Sequence, residues 1–258
     1  MQAVTLEFLG TGTSQGVPVI GCACAVCRSS DPRDQRLRTS ALIRVGGKQL
    51  LIDAGPDLRQ QLLRARIDHL DAVLLTHEHM DHISGIDDLR ALNFRMKRAM
   101  DLHSSPATLD AVARMYHYAF TKERYPGVPE LNLVPIAGRS FIADGVVLEV
   151  IHVMHHRMPV LGFRIGGLAY ITDAKTMEDD EISRLNGIHT LVLNALRIED
   201  HPSHLNLREA LQLAERIGPA RVLFTHISHL LGRHADVSRR LPENVALAYD
   251  GLHVDVEA

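Results

Sequence analysis

The sequence predicts an α/β domain in which two mixed β-sheets pack face to face and helices cover the outer faces. Strand-like segments come first in hairpins, and segments with helical spacing are interleaved with strands in both halves of the chain. No linker, low-complexity run or change of composition divides the 258 residues, 46% of which are apolar. We therefore expect one domain over residues 1–258.

The first half of the chain is predicted to open with strands and then to alternate strands with helices. Gly10-Thr11-Gly12 ends the first strand, a Gly46-Gly47 turn joins the next two, and Pro106 begins the second helix. The predicted strands are 4–9, 40–45, 49–52, 72–75 and 100–103, and the predicted helices are 57–65 and 106–118. Segments 14–39 and 121–130 show no periodicity and are predicted to be loops.

The second half of the chain is also predicted to alternate strands with helices. Gly218 ends an amphipathic helix, and apolar runs with β-propensity precede and follow that helix. The predicted strands are 141–153, 161–172, 191–194 and 222–224, and the predicted helices are 178–185 and 206–217. Two final strands, 245–249 and 253–256, are predicted to pair with each other around Asp250-Gly251.

Charge and hydropathy limit the partners of the protein. The formal net charge of −3 argues against nucleic-acid binding driven by overall charge, although a local basic patch stays open. The N-terminal residues lack the basic start and apolar run of a signal peptide, and no segment reaches about 18 consecutive apolar residues. We expect a cytoplasmic protein without membrane contact. The sequence leaves the choice between monomer and homodimer open.

A dense group of potential metal ligands follows the apolar segment 72–75. It has the pattern His77-x-His79-x-Asp81-His82. Alternate side chains of an extended segment point the same way, so these imidazole and carboxylate groups can converge on cations. Four such residues within six positions exceed what a single tetrahedral metal takes from so short a segment. The motif therefore predicts two adjacent metals.

Two complete metal sites need further ligands from other strand ends. Asp173 and His226 each directly follow an apolar segment, which places them along one rim of the predicted sandwich. A third ligand is expected from the neighbourhood of residue 156, where three histidines compete. They are His152, His155 and His156.

A separate cluster of cysteines, Cys22-x-Cys24-x-x-Cys27, has spacings that suit zinc. Three thiolates need a fourth ligand to complete a tetrahedral structural site, and His229 is the leading candidate. The alternative is that the cluster consists of three reduced, buried thiols. A zinc ion here would fix the long irregular loop to the C-terminal part of the chain.

The motif around His77–His82 resembles the signature of the metallo-β-lactamase-like superfamily, whose fold is an αββα four-layer sandwich. The resemblance extends over nearly the whole chain to the PhnP-type cyclic phosphodiesterases, and more loosely to the tRNA 3′-processing endonucleases (tRNase Z). The shared segments are Gly10-Thr11-Gly12, the cysteine cluster, Leu51-Ile52-Asp53-Ala54-Gly55, the histidine motif, Thr172-Asp173 and Thr225-His226-Ile227-Ser228-His229.

This resemblance implies a ligand set for each metal. His77, His79 and His156 would hold one ion, Asp81, His82 and His226 the other, and Asp173 would bridge them. His156 is preferred over its neighbours because it lies six residues before Gly162, as in the family. The resemblance also implies His229 as the fourth zinc ligand.

The implied activity is hydrolysis of a small cyclic phosphodiester, of the ribosyl 1,2-cyclic phosphate or 2′,3′-cyclic nucleotide type, by a hydroxide between two manganese or zinc ions. Asp81 is assigned to the catalytic centre, and Asp53 is expected to orient ligand imidazoles. His204 resembles the general acid of the family, with His201 as its rival. Arginine and lysine residues in the 90–124 region are candidates for contact with a second phosphate.

Two other functions remain open at this point. A tRNA 3′-processing endonuclease would use the same metals, but segment 83–155 contains no long Gly/Pro- and Lys-rich arm to grip tRNA. A non-catalytic metal-binding pathway protein of the PqqB type would share the fold. No ligand position is lost in this sequence, which weakens that second alternative.

Overall fold

Two seven-stranded sheets form the centre of the protein in a computed structural model that describes residues 3–256. The strands are β1 Val4–Gly10, β2 Ser40–Val45, β3 Lys48–Ile52, β4 Ala72–Leu74, β5 Met100–Ser104, β6 Leu131–Pro135, β7 Ser140–Ala143, β8 Val146–His155, β9 Met158–Ile165, β10 Leu168–Tyr170, β11 Thr190–Asn194, β12 Arg221–Thr225, β13 Val245–Leu247 and β14 His253–Val256.

Helices connect the strands of both sheets. They are α1 Leu58–Arg64, α2 Met80–Ile83, α3 Arg90–Met96, α4 Pro106–Met115, α5 Asp179–Ser183, α6 Leu207–Ile217 and α7 His234–Ser238. Short 3₁₀ turns occur at Pro32–Asp34, Ile86–Leu89 and His117–Ala119. No helix in the described part of the chain is both long and apolar enough to cross a membrane.

Each sheet is antiparallel at one end and parallel at the other. The order of the first sheet is β14-β1-β2-β3-β4-β5-β6, and that of the second is β13-β12-β11-β10-β9-β8-β7. β3, β4, β5 and β6 run parallel, as do β10, β11, β12 and β13. The carboxyl ends of parallel neighbours open at the same rim, where sites are commonly built.

Three apolar clusters show four layers. One lies between the sheets and includes Phe8 and Tyr170. Another packs the first sheet against helices α1, α3 and α4. The third packs the second sheet against α5, α6 and α7. The prediction of two mixed sheets between outer helices is confirmed.

Local sequence signals explain where helices begin and end. Asn206 accepts a hydrogen bond from the Glu209 N–H, and the Glu209 side chain accepts one from the Asn206 N–H, so a capping box begins α6. Gly218 ends α6 with a φ of 69°, a conformation that glycine adopts without strain. α4 begins with Pro106, as predicted, and Ser105 caps it, but the helix ends at Met115 and not at residue 118.

The two C-terminal strands correct one prediction. β13 and β14 do not pair with each other, because β13 adds to β12 in the second sheet and β14 adds to β1 in the first. The turn at Asp250-Gly251 carries the chain from one sheet to the other. The predicted strand 141–153 is a hairpin, β7–β8, with a turn at Asp144-Gly145. The predicted strand 161–172 is also divided, because β9 and β10 pair as a hairpin with a turn at Gly166-Gly167. β6, α2, α3 and α7 have no counterpart in the sequence prediction.

Candidate metal centre

The candidate ligands come together at one rim because four strands end there. β3 leads to Asp53, β4 to His77, β10 to Asp173 and β12 to His226. Asp53, Asp173 and His226 have φ values of 60°, 56° and 54°. Residues other than glycine seldom adopt this left-handed conformation, and such positions concentrate at functional sites. At Asp53 and His226 the backbone turns sharply at the first residue after the strand.

The segment 77–82 is held in place by close backbone packing. The Ala54 N–H donates to the His82 carbonyl oxygen at 2.7 Å, and the Gly85 N–H donates to the Ala54 carbonyl oxygen at 2.8 Å. A Cβ atom at Gly55 would lie 2.0 Å from the Asp81 carbonyl oxygen. Glycine at position 55 is therefore required for the loop to approach, which explains the Asp53-Ala54-Gly55 segment.

Asp173 lies between histidines from both sheets. Its Oδ2 is 3.3 Å from His82 Nε2, and its Oδ1 is 3.2 Å from His226 Nε2. Asp81 Oδ2 is 3.3 Å from His82 Nε2 and 3.6 Å from His226 Nε2. These four side chains thus face one small volume.

His77 and His79 form the adjoining half of the centre. His77 Nε2 is 3.1 Å from His79 Nδ1, and the rings of His77 and His82 are 4.2 Å apart. His77 is buried, and burial, followed by the nearby His82, lowers its pKa well below the ordinary value. An imidazole that stays neutral keeps a lone pair for a cation.

The third histidine beside His77 and His79 is His155. His156, which was predicted as this ligand, does not lie in the centre. The His155 ring is 5.8 Å from the His77 ring and 5.1 Å from the His79 ring. His156 is exposed, in the tight turn that joins β8 to β9. His155 is the last residue of β8 and shares the face of Val153, whereas the turn directs the next residue away.

Several nitrogen atoms of the centre fit a cation. His82 Nε2, His155 Nδ1, His204 Nδ1 and His226 Nε2 are buried and have no hydrogen-bond partner. A buried polar atom without a partner is costly, and a metal ion would satisfy it. The nearby imidazoles, His226 foremost, lower the pKa of Asp173 although its burial acts in the opposite direction. A carboxylate among imidazoles is a suitable donor set for divalent metals.

Asp53 is placed to orient a ligand rather than to bind metal. Its Oδ2 is 2.7 Å from His82 Nδ1. The same carboxylate accepts hydrogen bonds from the Thr76 N–H at 2.8 Å and the Thr76 hydroxyl at 2.9 Å. With Nδ1 facing Asp53, His82 directs Nε2 into the centre, an arrangement common around protein metals.

His204 lies against the centre and His201 lies outside it. The His204 ring is 4.4 Å from the His155 ring and stacks on His226 at 4.8 Å, and its Nδ1 is 3.6 Å from Asp173 Oδ1. His155, Asp173 and His204 are close enough together to share an ion, so His204 is a rival ligand as well as the predicted proton donor. The His201 ring is 5.0 Å from that of His204.

Burial, and then the neighbouring His226, lower the pKa of His204 to about 2. His204 is therefore neutral at pH 7. A proton-donating role requires a bound anion that raises this pKa.

The cysteine cluster and His229 form a second, separate group. His229 Nδ1 lies 3.3 Å from Cys22 Sγ and 3.4 Å from the Sγ atoms of Cys24 and Cys27. The edge between sulfur and nitrogen in a tetrahedral zinc site is about 3.5 Å, given bond lengths of about 2.3 and 2.0 Å. The Cys27 N–H donates to Cys24 Sγ and lowers the pKa of Cys24 to about 6, which favours a thiolate, whereas burial raises the pKa of Cys27 to about 11. These residues fit zinc.

Three arginines of the 90–124 region contact groups away from the metal centre. Arg90 pairs with Asp87, and Arg95 pairs with Asp68. Arg98 donates to the Leu70 carbonyl oxygen. These contacts give no support to a second phosphate site in this region.

A family model described as "Beta-lactamase superfamily domain" matches residues 48–227. The match covers more than half of the chain, so the protein belongs to this superfamily. Its two sheets and outer helices are the metallo-β-lactamase fold. The fold implies divalent metals at the rim where the histidines lie.

Two relatives that are similar in sequence to this chain carry different names. An octanoyltransferase of Porphyromonas gingivalis is 42% identical over 253 residues, which cover 97% of this chain and 51% of the relative. The chain thus spans about half the length of that relative. A ribonuclease Z of Bradyrhizobium is 35% identical over 141 residues, which cover 52% of this chain and 46% of the relative.

One solved structure is similar to this protein over the whole fold. The crystal structure of a new diphosphatase from the PhnP family has a TM-score of 0.93 and 37% sequence identity, and the match covers 99% of this chain and 98% of that one. The predicted relation to the PhnP type is confirmed by this similarity.

Proposed function

We propose that the protein is a dinuclear metal-dependent phosphodiesterase that acts on a small phosphodiester. The observation that carries this proposal is the position of Asp173, whose two oxygen atoms face His82 and His226. A carboxylate between two groups of imidazoles suits a pair of adjacent cations. The support from relatives is the 37% identity to a PhnP-family diphosphatase over the whole chain.

His77, His79 and His155 would hold one cation, and Asp81, His82 and His226 the other, with Asp173 between them. When bound, two divalent cations supply Lewis acidity and lower the pKa of a water molecule toward neutrality. The donor set suits manganese or zinc.

The protein side chains would orient the ligands and transfer the proton. Asp53 holds His82 through Nδ1, so the imidazole does not rotate away from the centre. His204 would give its proton to the leaving oxygen. Because His204 is neutral without substrate, the negative charge of a bound phosphodiester is what would raise its pKa into a useful range.

The proposed substrate is a ribosyl 1,2-cyclic phosphate or a 2′,3′-cyclic nucleotide. A diphosphate diester is the second candidate, favoured by the name of the PhnP-family structure. Cleavage of tRNA is less favoured. A ribonuclease Z of Mycobacterium that covers 87% of this chain is only 27% identical, against 37% for the PhnP-family diphosphatase, and the net charge of −3 offers no general attraction to nucleic acid.

The test is a set of rate measurements on protein stripped by a chelator and reloaded with manganese. We expect bis(p-nitrophenyl) phosphate to be hydrolysed only after reloading, and the cyclic phosphates to be preferred over a diphosphate diester and precursor tRNA. A rate that is equal with and without metal, or no turnover of any phosphodiester after reloading, would overturn the proposal.

Replacing His204 by alanine is expected to lower turnover by at least about 10²-fold, because the leaving oxygen would lose its proton donor. Elemental analysis should still find both metals of the centre, which separates this role from that of a ligand. His201→Ala is the matched control and should change turnover by less than about threefold. If His204→Ala loses a metal, the residue is a ligand, and the proton donor must be sought elsewhere.

A further inference from the structure

Asn194 is a fully buried polar residue at the carboxyl end of β11, and it is not one of the ligands assigned above. Its Oδ1 accepts a hydrogen bond from the Ala174 N–H at 2.7 Å, and its Nδ2 donates to the Ala174 carbonyl oxygen at 3.0 Å. Ala174 directly follows Asp173 in the chain. One side-chain amide thus holds both backbone polar groups of the residue next to Asp173.

This pair of hydrogen bonds lies where the pairing of β10 with β11 comes to an end. The Ile171 N–H still donates to the Val192 carbonyl oxygen at 2.9 Å. The backbone then turns at Asp173, with a φ of 56°, and leaves the ladder. Ala174 is fully buried, and buried backbone groups without partners are costly. The Asn194 amide therefore replaces the strand pairing that Ala174 has lost.

The conformation of Asp173 requires this kind of support. A left-handed φ in a residue other than glycine is strained and persists only where the surroundings enforce it. The two carboxylate oxygens face His82 and His226, so a rotation of the backbone here would turn them out of the centre. Asn194 holds the chain after this turn, and the Thr172 hydroxyl before it donates to Asp173 Oδ2 at 2.6 Å.

Ala174 also connects Asp173 to the segment that carries His204. The Ala174 carbonyl oxygen accepts a second hydrogen bond, from the Leu205 N–H at 2.9 Å. Leu205 directly follows His204, whose Nδ1 is 3.6 Å from Asp173 Oδ1. One carbonyl oxygen thus receives donors from Asn194 and from Leu205. The central carboxylate and the expected proton donor are fixed to the same point of the backbone.

We propose that Asn194 is a positioning residue of the metal centre, which keeps Asp173 directed between the two cations and His204 beside it by holding Ala174. This inference rests on the proposed phosphodiesterase function. Groups that orient metal ligands typically change metal affinity or activity by about 10- to 100-fold when they are replaced. Because Asn194 acts through the reacting groups, its loss should lower kcat and leave KM nearly unchanged.

Asn93 offers an internal control, because it holds another residue in the same way. Its Oδ1 accepts from the Glu130 N–H at 3.0 Å, and its Nδ2 donates to the Glu130 carbonyl oxygen at 3.0 Å. Asn93 is also buried. Glu130 directly precedes β6, so this pair of bonds lies at the amino ends of parallel strands, opposite the rim of the centre. A purely structural contribution of the amide should be similar at both positions.

The test compares Asn194→Leu with Asn93→Leu, because leucine has a similar size and removes both hydrogen bonds. We expect both variants to lower Tm. Only Asn194→Leu should weaken manganese binding, by about 10- to 100-fold in a titration that follows the electron paramagnetic resonance signal of free manganese. It should lower kcat on bis(p-nitrophenyl) phosphate at saturating manganese by a similar factor, with KM within about threefold. Asn93→Leu should keep manganese affinity and kcat within about twofold.

Each outcome has a distinct meaning. Natural manganese affinity and kcat in Asn194→Leu would overturn this inference alone, and so would equal losses in the two variants, because the role of Asn194 would then be purely structural. If Asn194→Leu does not fold, Asn194→Ala and Asn93→Ala repeat the comparison, since alanine removes the same bonds without adding an apolar side chain. Natural affinity and kcat in Asn194→Ala would then overturn the inference.

The proposed function fails separately. A natural protein that binds manganese but does not hydrolyse bis(p-nitrophenyl) phosphate would contradict the proposed activity. The manganese titration of the two leucine variants would still decide whether Asn194 positions the ligands.

Discussion

Replacing His155 by alanine is expected to lower metal-dependent hydrolysis by about 10³-fold, because one cation would lose a ligand and with it several kcal/mol of charge stabilisation. The His155 side chain is buried and lies against His79 and His204. Elemental analysis of the variant should find one metal fewer than in the natural protein. The measurement is the rate on bis(p-nitrophenyl) phosphate at saturating manganese.

His156→Ala is the matched control for this variant. The residue is adjacent in sequence and has the same side chain, but it is exposed in the β8–β9 turn. We expect it to keep its metals and to retain a rate within about twofold, as for surface substitutions that touch nothing. Loss of metal in His156→Ala would contradict the assignment of His155 as the ligand.

The second large effect is expected on stability. Cys24→Ser should remove one of about three metals per chain, the structural zinc, and lower the free energy of unfolding by about 4 kcal/mol, a part of the 10–16 kcal/mol of zinc binding in small domains. For a chain of this size that corresponds to a fall in Tm of about 8–16 °C. The reason is that the four ligands tie the 14–39 loop to the segment after β12.

Turnover should change much less than stability in Cys24→Ser, by less than about tenfold, since no cysteine lies in the catalytic cluster. Ser30→Ala, an exposed change in the same loop, is the control and should leave Tm unchanged. An unchanged Tm in Cys24→Ser would show that the cluster does not hold zinc.

Much of the candidate centre was predictable because strand ends and ligand-type residues coincide in the sequence. The 77–82 motif, Asp173 and His226 each follow an apolar run, and parallel strands must open at a common rim. Asp53 was predicted in a supporting role and contacts His82 in that way. The grouping of Cys22, Cys24 and Cys27 with His229, separated by more than 200 residues, followed from the family resemblance.

The sequence prediction chose His156 instead of His155 because the ligand position was counted back from Gly162, as in the family. When a hairpin turn is longer or shorter by one residue, the neighbouring strand residues are displaced by one position. Because strand faces alternate at every residue, this displacement moves a side chain to the opposite face. Along β8, Val153 and His155 are buried and His152 is exposed, but this burial is a property of the folded chain. Period-two alternation alone does not choose between His155 and His156, because Val150 and Ile151 are both buried and each face of β8 therefore carries apolar residues.

The C-terminal strands were misassigned for a similar reason. Local signals of a hairpin are present at Asp250-Gly251, but β14 pairs with the edge of β1 in the first sheet and β13 with the edge of β12 in the second. Competition between edges depends on the completed sheets. It has no trace in the local sequence.

The amino-acid sequence alone determined the fold class and the two clusters of potential ligands, and it predicted a pair of metals, because hydrophobic periodicity and ligand spacing are local properties. Only the tertiary structure decided between His155 and His156 and assigned β13 and β14 to different sheets. These outcomes depend on side-chain direction and on contacts between distant segments, which are fixed only when the two sheets pack together.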